Sequence, residues 1–280
     1  MFESILIVGC GNMAGAMLEG WLAHGVSPSV FTIVDPLRQD APGGIPVSRD
    51  LPASGHFDAI LLGVKPQVLD EVVEQLAPLA GEGTMVMSML AGVQLESLQA
   101  RFPDARGCVR VMPNLAVSLG KAPIGLAAQG LDEDTRGALL DFYLPLGTPE
   151  WVGEDSFDLV TALVGSGPAF VYRFIDALGA AATRLGLPED EARRLALSMV
   201  EGAADLASQC GRVDQVLAGH FIIDAKRIPA HPPVGLPLQF AGATSDRDFD
   251  ALTVRFFVND GALLHVALQD RHLQDVAGLW

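Results

Sequence analysis

Cysteine is scarce: Cys10, Cys108 and Cys210 are the only three in 280 residues, and their wide spacing suits neither a disulfide framework nor a zinc site. Basic residues are also few, with 18 Lys and Arg against 34 Asp and Glu and a formal charge of -16. Such a balance repels a phosphate backbone, so nucleic acid is not expected as a partner. Half of the residues are hydrophobic, yet no unbroken apolar stretch reaches the roughly 18 residues that a membrane-spanning helix needs. No basic leader precedes the apolar run Ile5-Leu6-Ile7-Val8, and Gly9 ends that run too early for a signal peptide. A soluble, cytoplasmic chain in a reducing compartment is the expectation, with no membrane partner. The six histidines, His24, His56, His220, His231, His265 and His272, show no metal-site spacing, so no metal is expected either.

What is present is a regular alternation. Short apolar runs at 5–8, 30–34, 59–64, 85–89 and 108–112 are bounded by Gly, Pro or Asp and read as strands. Runs at 124–127 and 149–152 fit a closing edge. Segments 13–24 and 67–79 carry apolar residues at three- and four-residue spacing and read as crossover helices. This β-α-β order predicts an α/β fold: an N-terminal Rossmann-type, doubly wound parallel sheet over residues 1–152. The strand pattern stops near Gly153, and 153–280 is expected to form an all-α domain with long helices at 168–185 and 188–208. The first of these is apolar around most of its circumference. A helix of that kind needs cover on every side, which predicts a homodimer or a larger homo-oligomer. From 227 to 237 four prolines interrupt any period, and a loop is expected.

Gly9-Cys10-Gly11-Asn12-Met13-Ala14 stands directly between a strand and a helix. That context, more than the bare G-x-G-x-x-A pattern, places a diphosphate on a helix N-terminus. Gly9 allows the tight turn, Gly11 allows backbone to approach phosphate, and Ala14 allows close helix packing. An ordinary glycine-rich turn without ligand is the plain alternative. Asp35-Pro36 ends the second strand, where an acid can meet a ribose hydroxyl and favour NAD; Arg38 stands close enough to meet a 2′-phosphate instead, and Asp-Pro also suits a simple turn. Val64-Lys65-Pro66 follows the third strand run at the same sheet edge, although a solvated lysine before a helix-starting proline is equally consistent. Gly165-Ser166-Gly167-Pro168 by itself reads as a hinge with a proline helix start.

In order and spacing, five blocks resemble pyrroline-5-carboxylate reductases: G-C-G-N-M-A-G-A from Gly9, V-K-P-Q from Val64, S-M-L-A-G from Ser88, R-V-M-P-N from Arg110, and T-A-L-V-G-S-G-P-A-F from Thr161. The resemblance covers residues 1–211. It implies reduction of 1-pyrroline-5-carboxylate to L-proline with NADPH or NADH, and a helical domain that interleaves with a second subunit. By the same resemblance Gly9, Cys10, Gly11, Asn12 and Met13 would hold the diphosphate, and Asp35 and Pro36 would approach the adenosine ribose. Val64, Lys65 and Pro66 would flank the cofactor, Ala91 would approach the nicotinamide, and Ser166 and Gly167 would meet the substrate. No residue is singled out as a catalytic acid or base. The chain departs from the family at Leu115-Ala116, where Thr-Pro is usual, and at Val164, where Ser is common. Over 210–280 the departure is larger. The family's Ser-Pro-Gly-Gly-Thr-Thr loop, which cradles the substrate carboxylate, is replaced at its expected place by Ile223-Asp224-Ala225-Lys226-Arg227-Ile228, with a faint echo in Gly242-Ala243-Thr244-Ser245. A non-catalytic dinucleotide-binding protein, or a reductase of another imine, therefore stands as the alternative function.

Overall fold

The computed structural model describes residues 2–210 and, beyond them, three short strands. By its contacts the chain divides into Met1–Phe170 and Val171–Trp280. The first unit is built on an eight-stranded sheet: β1 (Ile5–Val8), β2 (Phe31–Val34), β3 (Val47–Ser48), β4 (Ala59–Leu62), β5 (Met85–Ser88), β6 (Gly107–Met112), β7 (Ala122–Ala128) and β8 (Gly147–Trp151). Their spatial order is β3-β2-β1-β4-β5-β6-β7-β8. From β1 the chain moves outward first to β2 and β3, then returns to the other side with β4. The order thus reverses between β1 and β4, the point at which an open α/β sheet leaves a crevice above the carboxyl ends of its strands.

The anticipated strands form, and the two late runs close the edge as β7 and β8. The sheet is parallel except at one pairing, where β7 runs antiparallel to β6. The physical reason is the link between them, residues 113–121, which holds only a 3₁₀ turn at Leu115–Leu119. A parallel crossover takes about a dozen residues or more.

Both faces of the sheet are covered, which explains why the strands read as continuous apolar runs. Along β1, Ile5 and Ile7 enter one core while Leu6 and Val8 enter the other. The first core is closed by α1 (Asn12–Ala23) and α4 (Glu133–Tyr143), the second by α2 (Leu69–Leu76), α3 (Leu95–Arg101) and the short α5 (Phe157–Val160). Trp21 anchors the α1 side. Its ring lies 4.7 Å from that of Phe142, and its indole N–H donates to the Phe142 carbonyl at 3.0 Å.

Gly20 shows how closely α1 is seated: a methyl group there would strike the Val117 carbonyl oxygen and lie 2.6 Å from a Leu146 methyl. Gly20→Ala is therefore expected to lower stability by about 1–3 kcal/mol, although alanine favours a helix by up to ~1 kcal/mol over glycine. Urea unfolding without cofactor measures the difference, and an unchanged or raised midpoint would contradict the packing.

The α5 helix does not end before the Gly-Ser-Gly-Pro block. It passes through a π-helical turn, Thr161–Ser166, directly into α6 (Gly167–Arg184). The expected hinge is thus replaced by a continuous helical path. Phe157 and Val164 bury into the second core of the first unit.

In the second unit, α6 is followed by α7 (Glu189–Cys210), close to the ranges read from periodicity. The two lie near one another where Gly179 faces the Arg193 backbone, 3.5 Å from where a Cβ would stand. Ala181, Ala192 and Ala196 are buried, whereas Phe170, Tyr172, Leu195, Leu197 and Met199 are each about half exposed or more within one chain. Strands β9 (Gln239–Phe240), β10 (Thr253–Phe257) and β11 (Leu263–Ala267) form a small antiparallel sheet that periodicity had not placed. The proline-rich loop at 227–237, Ile223–Ile228 and Gly242–Ser245 lie outside the described residues. Among the described residues no helix is long and apolar enough to cross a membrane.

Candidate cofactor cleft

The sheet's reversal point brings Gly9 and Gly63 together. The Gly9 N–H donates to the Val34 carbonyl and the Gly63 N–H to the Val8 carbonyl, both at 2.8 Å. Gly9 adopts φ +85°, and a Cβ on it would lie 2.8 Å from the Gly63 carbonyl carbon and 2.9 Å from the Val64 nitrogen. A Cβ on Gly63 would in turn strike the Gly9 oxygen. Each position admits only glycine for a backbone reason. Gly63 escaped the sequence reading, because a single glycine at a strand end carries no periodic signal.

Gly11 differs. It is the N-cap of α1, with an ordinary φ of -68°, and a Cβ there would meet no protein atom within 4 Å. No side chain caps α1, and its first turn holds no acidic residue. By contrast α2, α3, α4, α5 and α7 all carry acids in the first turn. The positive end of the α1 dipole and its opening N–H groups are thus left for an external anion. Asn12 is exposed beside that opening, while Met13 is half-buried against the core. The residues present fit a dinucleotide's diphosphate at this mouth: an uncapped helix end, open space above Gly11, and a position at the sheet's switch point.

Asp35 lies at the end of β2 and is buried. One carboxylate oxygen accepts the Cys10 N–H at 2.8 Å; the other accepts the Leu37 and Arg38 N–H groups at 2.8 and 3.1 Å. Pro36 is exposed at the same edge. Arg38 folds back over the turn and donates through Nη1 to the Cys10 carbonyl at 2.8 Å. The absence of a side chain at Gly15 makes room for it, since a Cβ there would be 2.9 Å from Nη1. Burial pushes the Cys10 thiol up, and the hydrogen bond and charge of Arg38 only partly oppose this. Cys10 is therefore a neutral packing residue near pH 7 rather than a nucleophile. Cys108, in β6, is pushed up to about 11 by burial alone.

Farther along the carboxyl edge, Val64 is half-buried, and Lys65 and Pro66 are exposed just before α2. Ala91 is exposed after β5, next to Gly92 at φ +75°. Beyond β6, Asn114 is buried with both ends of its amide used. Its oxygen accepts the Ala116 N–H at 3.0 Å, and its nitrogen donates to the Val164 carbonyl at 3.1 Å. In an α-helix that carbonyl would receive the N–H four residues on, but this residue is Pro168, which has none. Asn114 thus supplies the missing donor and ties the end of β6 to the turn that carries Ser166, exposed, and Gly167, half-buried. The sequence contained both halves of this contact without showing that they meet.

Arg110, on β6, sits on the opposite side from Val109 and Val111 and is only 2% exposed. It donates to Glu154 at 2.9 Å, lies 3.6 Å from Asp158, and covers the Phe157 ring at 3.9 Å. Glu154 also accepts the first N–H of α3, from Leu95, at 3.0 Å. A cavity of about 280 Å³ near Phe2, Asp58, Gly83, Arg106 and Thr135 borders the amino end of β5, away from the crevice. Its Asp58 already accepts the Glu3 and Ser4 N–H groups, and it gathers no constellation of reactive groups. Among the described residues no group of three His, Cys, Asp or Glu side chains could hold a metal ion.

Residues 154–218 match the family described as pyrroline-5-carboxylate reductase dimerisation, and residues 4–92 match that described as NADP oxidoreductase, coenzyme F420-dependent. The chain is 32% identical over 227 residues to pyrroline-5-carboxylate reductase 2 of Bacillus subtilis, covering 77% of this chain and 80% of that protein. It is 37% identical over 209 residues to the pyrroline-5-carboxylate reductase of Aquifex aeolicus, covering 72% and 77%. Among solved structures, a pyrroline-5-carboxylate reductase from Coxiella burnetii is similar, with a TM-score of 0.70, 28% identity, and coverage of 77% of this chain and 84% of that one.

Proposed function

From the premise that this chain belongs to the pyrroline-5-carboxylate reductase family, an NAD(P)H-dependent oxidoreductase family, we propose how its residues serve the reduction of 1-pyrroline-5-carboxylate to L-proline. The observation that carries the reading is the uncapped, acid-free mouth of α1 at the switch point, with empty space above Gly11. Gly9, Cys10, Gly11, Asn12 and Met13 hold the cofactor's diphosphate there. Asp35 and Pro36 border the adenosine ribose, Val64, Lys65 and Pro66 flank the cofactor, and Ala91 faces the nicotinamide. Ser166 and Gly167 meet the substrate. The chain works as a homodimer or larger homo-oligomer, joined through the apolar faces of α6 and α7, in the cytoplasm. By function the division falls at 152/153, with cofactor binding before it and dimerisation after it. This follows the dimerisation match, which begins at 154, rather than the packing of 157–164 on the first unit.

When bound, the reduced nicotinamide supplies the hydride that the imine carbon accepts. The protein's share is to hold the two reactants in register and to exclude water, and orientation of this kind lowers a barrier by about 7–11 kcal/mol. Protonation of the imine nitrogen makes its carbon a better acceptor, and solvent or a hydroxyl suffices as donor. A second reading, cofactor binding without turnover, draws on Ile223–Ile228, which stands where the family has its carboxylate loop. The two separate in one assay on the full chain. Oxidation of NAD(P)H that depends on pyrroline-5-carboxylate supports the reductase; folded protein that binds NADPH and gives no turnover above background supports the binder.

Asn114→Asp tests the substrate side. An aspartate has the same shape but cannot donate to the Val164 carbonyl, so the segment of Ser166 and Gly167 loses its fixed height. KM for pyrroline-5-carboxylate is expected to rise by about tenfold, the scale of one lost buried hydrogen bond, while the NADPH Kd changes by less than about twofold. Equal losses in both would show that the contact serves the fold at large.

A further inference from the structure

An acid at the end of the second strand ordinarily grips the ribose hydroxyls and selects against a 2′-phosphate. Here the carboxylate is engaged elsewhere. A carboxylate offers about four acceptor sites, and in Asp35 three of them face the N–H groups of Cys10, Leu37 and Arg38. Asp35 is 8% exposed, so little of it reaches the crevice. Gripping a vicinal diol takes two free sites on the open side. Through Cys10, the same carboxylate sets the position of the peptide between Gly9 and Gly11.

Arg38 has the opposite character. It is half-buried, and only Nη1 is engaged, by the Cys10 carbonyl at 2.8 Å and the Cys10 sulfur at 3.6 Å. Among the described residues its other N–H groups have no protein acceptor, and no acidic side chain pairs with it. The missing side chain at Gly15 leaves the guanidinium room beside the first turn of α1, next to the glycine turn. The adjacent strand end adds Ser48, whose carbonyl accepts the Asp35 N–H at 3.0 Å, followed by the exposed Arg49. The edge beyond Asp35 thus carries Arg38 and Arg49, two of the chain's few basic residues, beside the exposed Asp40 and Asp50. A planar guanidinium with free donors matches a phosphate monoester.

We infer that this chain reads its dinucleotide through Arg38, selecting the 2′-phosphorylated form, while Asp35 is a positioning residue that holds the glycine turn for either form. The inference rests on the proposed diphosphate site and deepens it. It reverses the usual roles: the acid supports binding in general, and the arginine alone discriminates.

The test is binding, independent of turnover. Affinities of the full chain for 2′-phospho-ADP-ribose and ADP-ribose are measured by calorimetry, with wild type, Arg38→Leu, Arg38→Lys and Asp35→Ala. Wild type is expected to prefer the 2′-phosphorylated ligand. Arg38→Leu should cut that preference about tenfold or more, the scale of a hydrogen bond to a charged group, and Arg38→Lys should restore part of it. Asp35→Ala should weaken both ligands by a similar factor and leave their ratio unchanged, with a thermal scan to report its folding. The inference is overturned if Arg38→Leu leaves the ratio intact, or if Asp35→Ala, folded, raises affinity for ADP-ribose or selectively weakens it. A wild-type chain that binds neither ligand overturns the diphosphate site itself, a different result from either.

Discussion

Gly11→Ala is expected to fold with an unchanged melting temperature and yet to lose NADPH affinity by about 100-fold or more. At φ -68° the residue is unstrained, and a methyl group there meets no protein atom within 4 Å, so nothing in the fold opposes it. The space it fills is the approach to the opening N–H groups of α1. Charge-assisted bonds from backbone N–H to phosphate are short, and a methyl group in their path lengthens or breaks more than one of them. At about 1.4 kcal/mol per decade of affinity, two such bonds account for the loss. Gly9→Ala gives the contrast. Its φ of +85° and the contact at 2.8 Å with the Gly63 backbone put the fault in the protein itself, so both melting temperature and affinity should fall. Tryptophan or cofactor fluorescence titration beside a thermal scan distinguishes the two. If Gly11→Ala binds NADPH as wild type does, the diphosphate does not lie at this mouth.

Arg110→Met should cost about 3 kcal/mol of stability, at the lower end of the range for leaving one partner of a buried ion pair alone. The lower end applies because Glu154 keeps 21% of its side chain exposed and regains some water. Methionine fills much of the stem's volume and retains contact with Phe157, so the loss is mainly electrostatic. The network is not fully satisfied even in wild type: Arg110 Nε and Nη2 and Glu154 Oε2 are buried without a hydrogen-bond partner, and Asp158 at 3.6 Å offers attraction without a bond. Removing both charges, in Arg110→Met with Glu154→Gln, should therefore recover roughly half of the loss, since glutamine still accepts the Leu95 N–H. Urea unfolding of the four combinations gives the coupling directly. A double variant as unstable as the sum of the two single ones would show that Arg110 acts by packing alone.

The sheet was readable because its chemistry is local. A strand buried on both faces is apolar almost throughout, as β1 and β4 are at every position and β5 is up to Ser88, so short runs between glycines and prolines marked them. The glycine turn was readable for the same reason, its strand, turn and helix being consecutive. Helices α3 and α4 were missed: α3 has only seven residues, too few to establish a period, and α4 is amphipathic only weakly, with Leu139, Phe142 and Tyr143 buried late in its length. The antiparallel β7 followed from a link too short to cross over, a length that periodicity does not weigh. The Pro168 that suggested a hinge sits instead in a helical path, because its missing donor is made good by the Asn114 side chain just beyond β6.

The linear order of residues determined, unaided, that an α/β sheet comes first and long helices later, that a glycine turn joins the first strand to the first helix, and that the blocks fall in the order seen in proline-forming reductases. Only the folded arrangement decided which partners those groups meet. Asp35 turned inward to three N–H groups, Arg38 came to rest over Cys10, Asn114 reached Val164, and Arg110 found Glu154, across separations of up to 50 residues. Periodicity reports the burial of a residue, which depends on its neighbours along the chain. Hydrogen-bond partnership depends on distance in space, and that is set only once the strands have been ordered in the sheet.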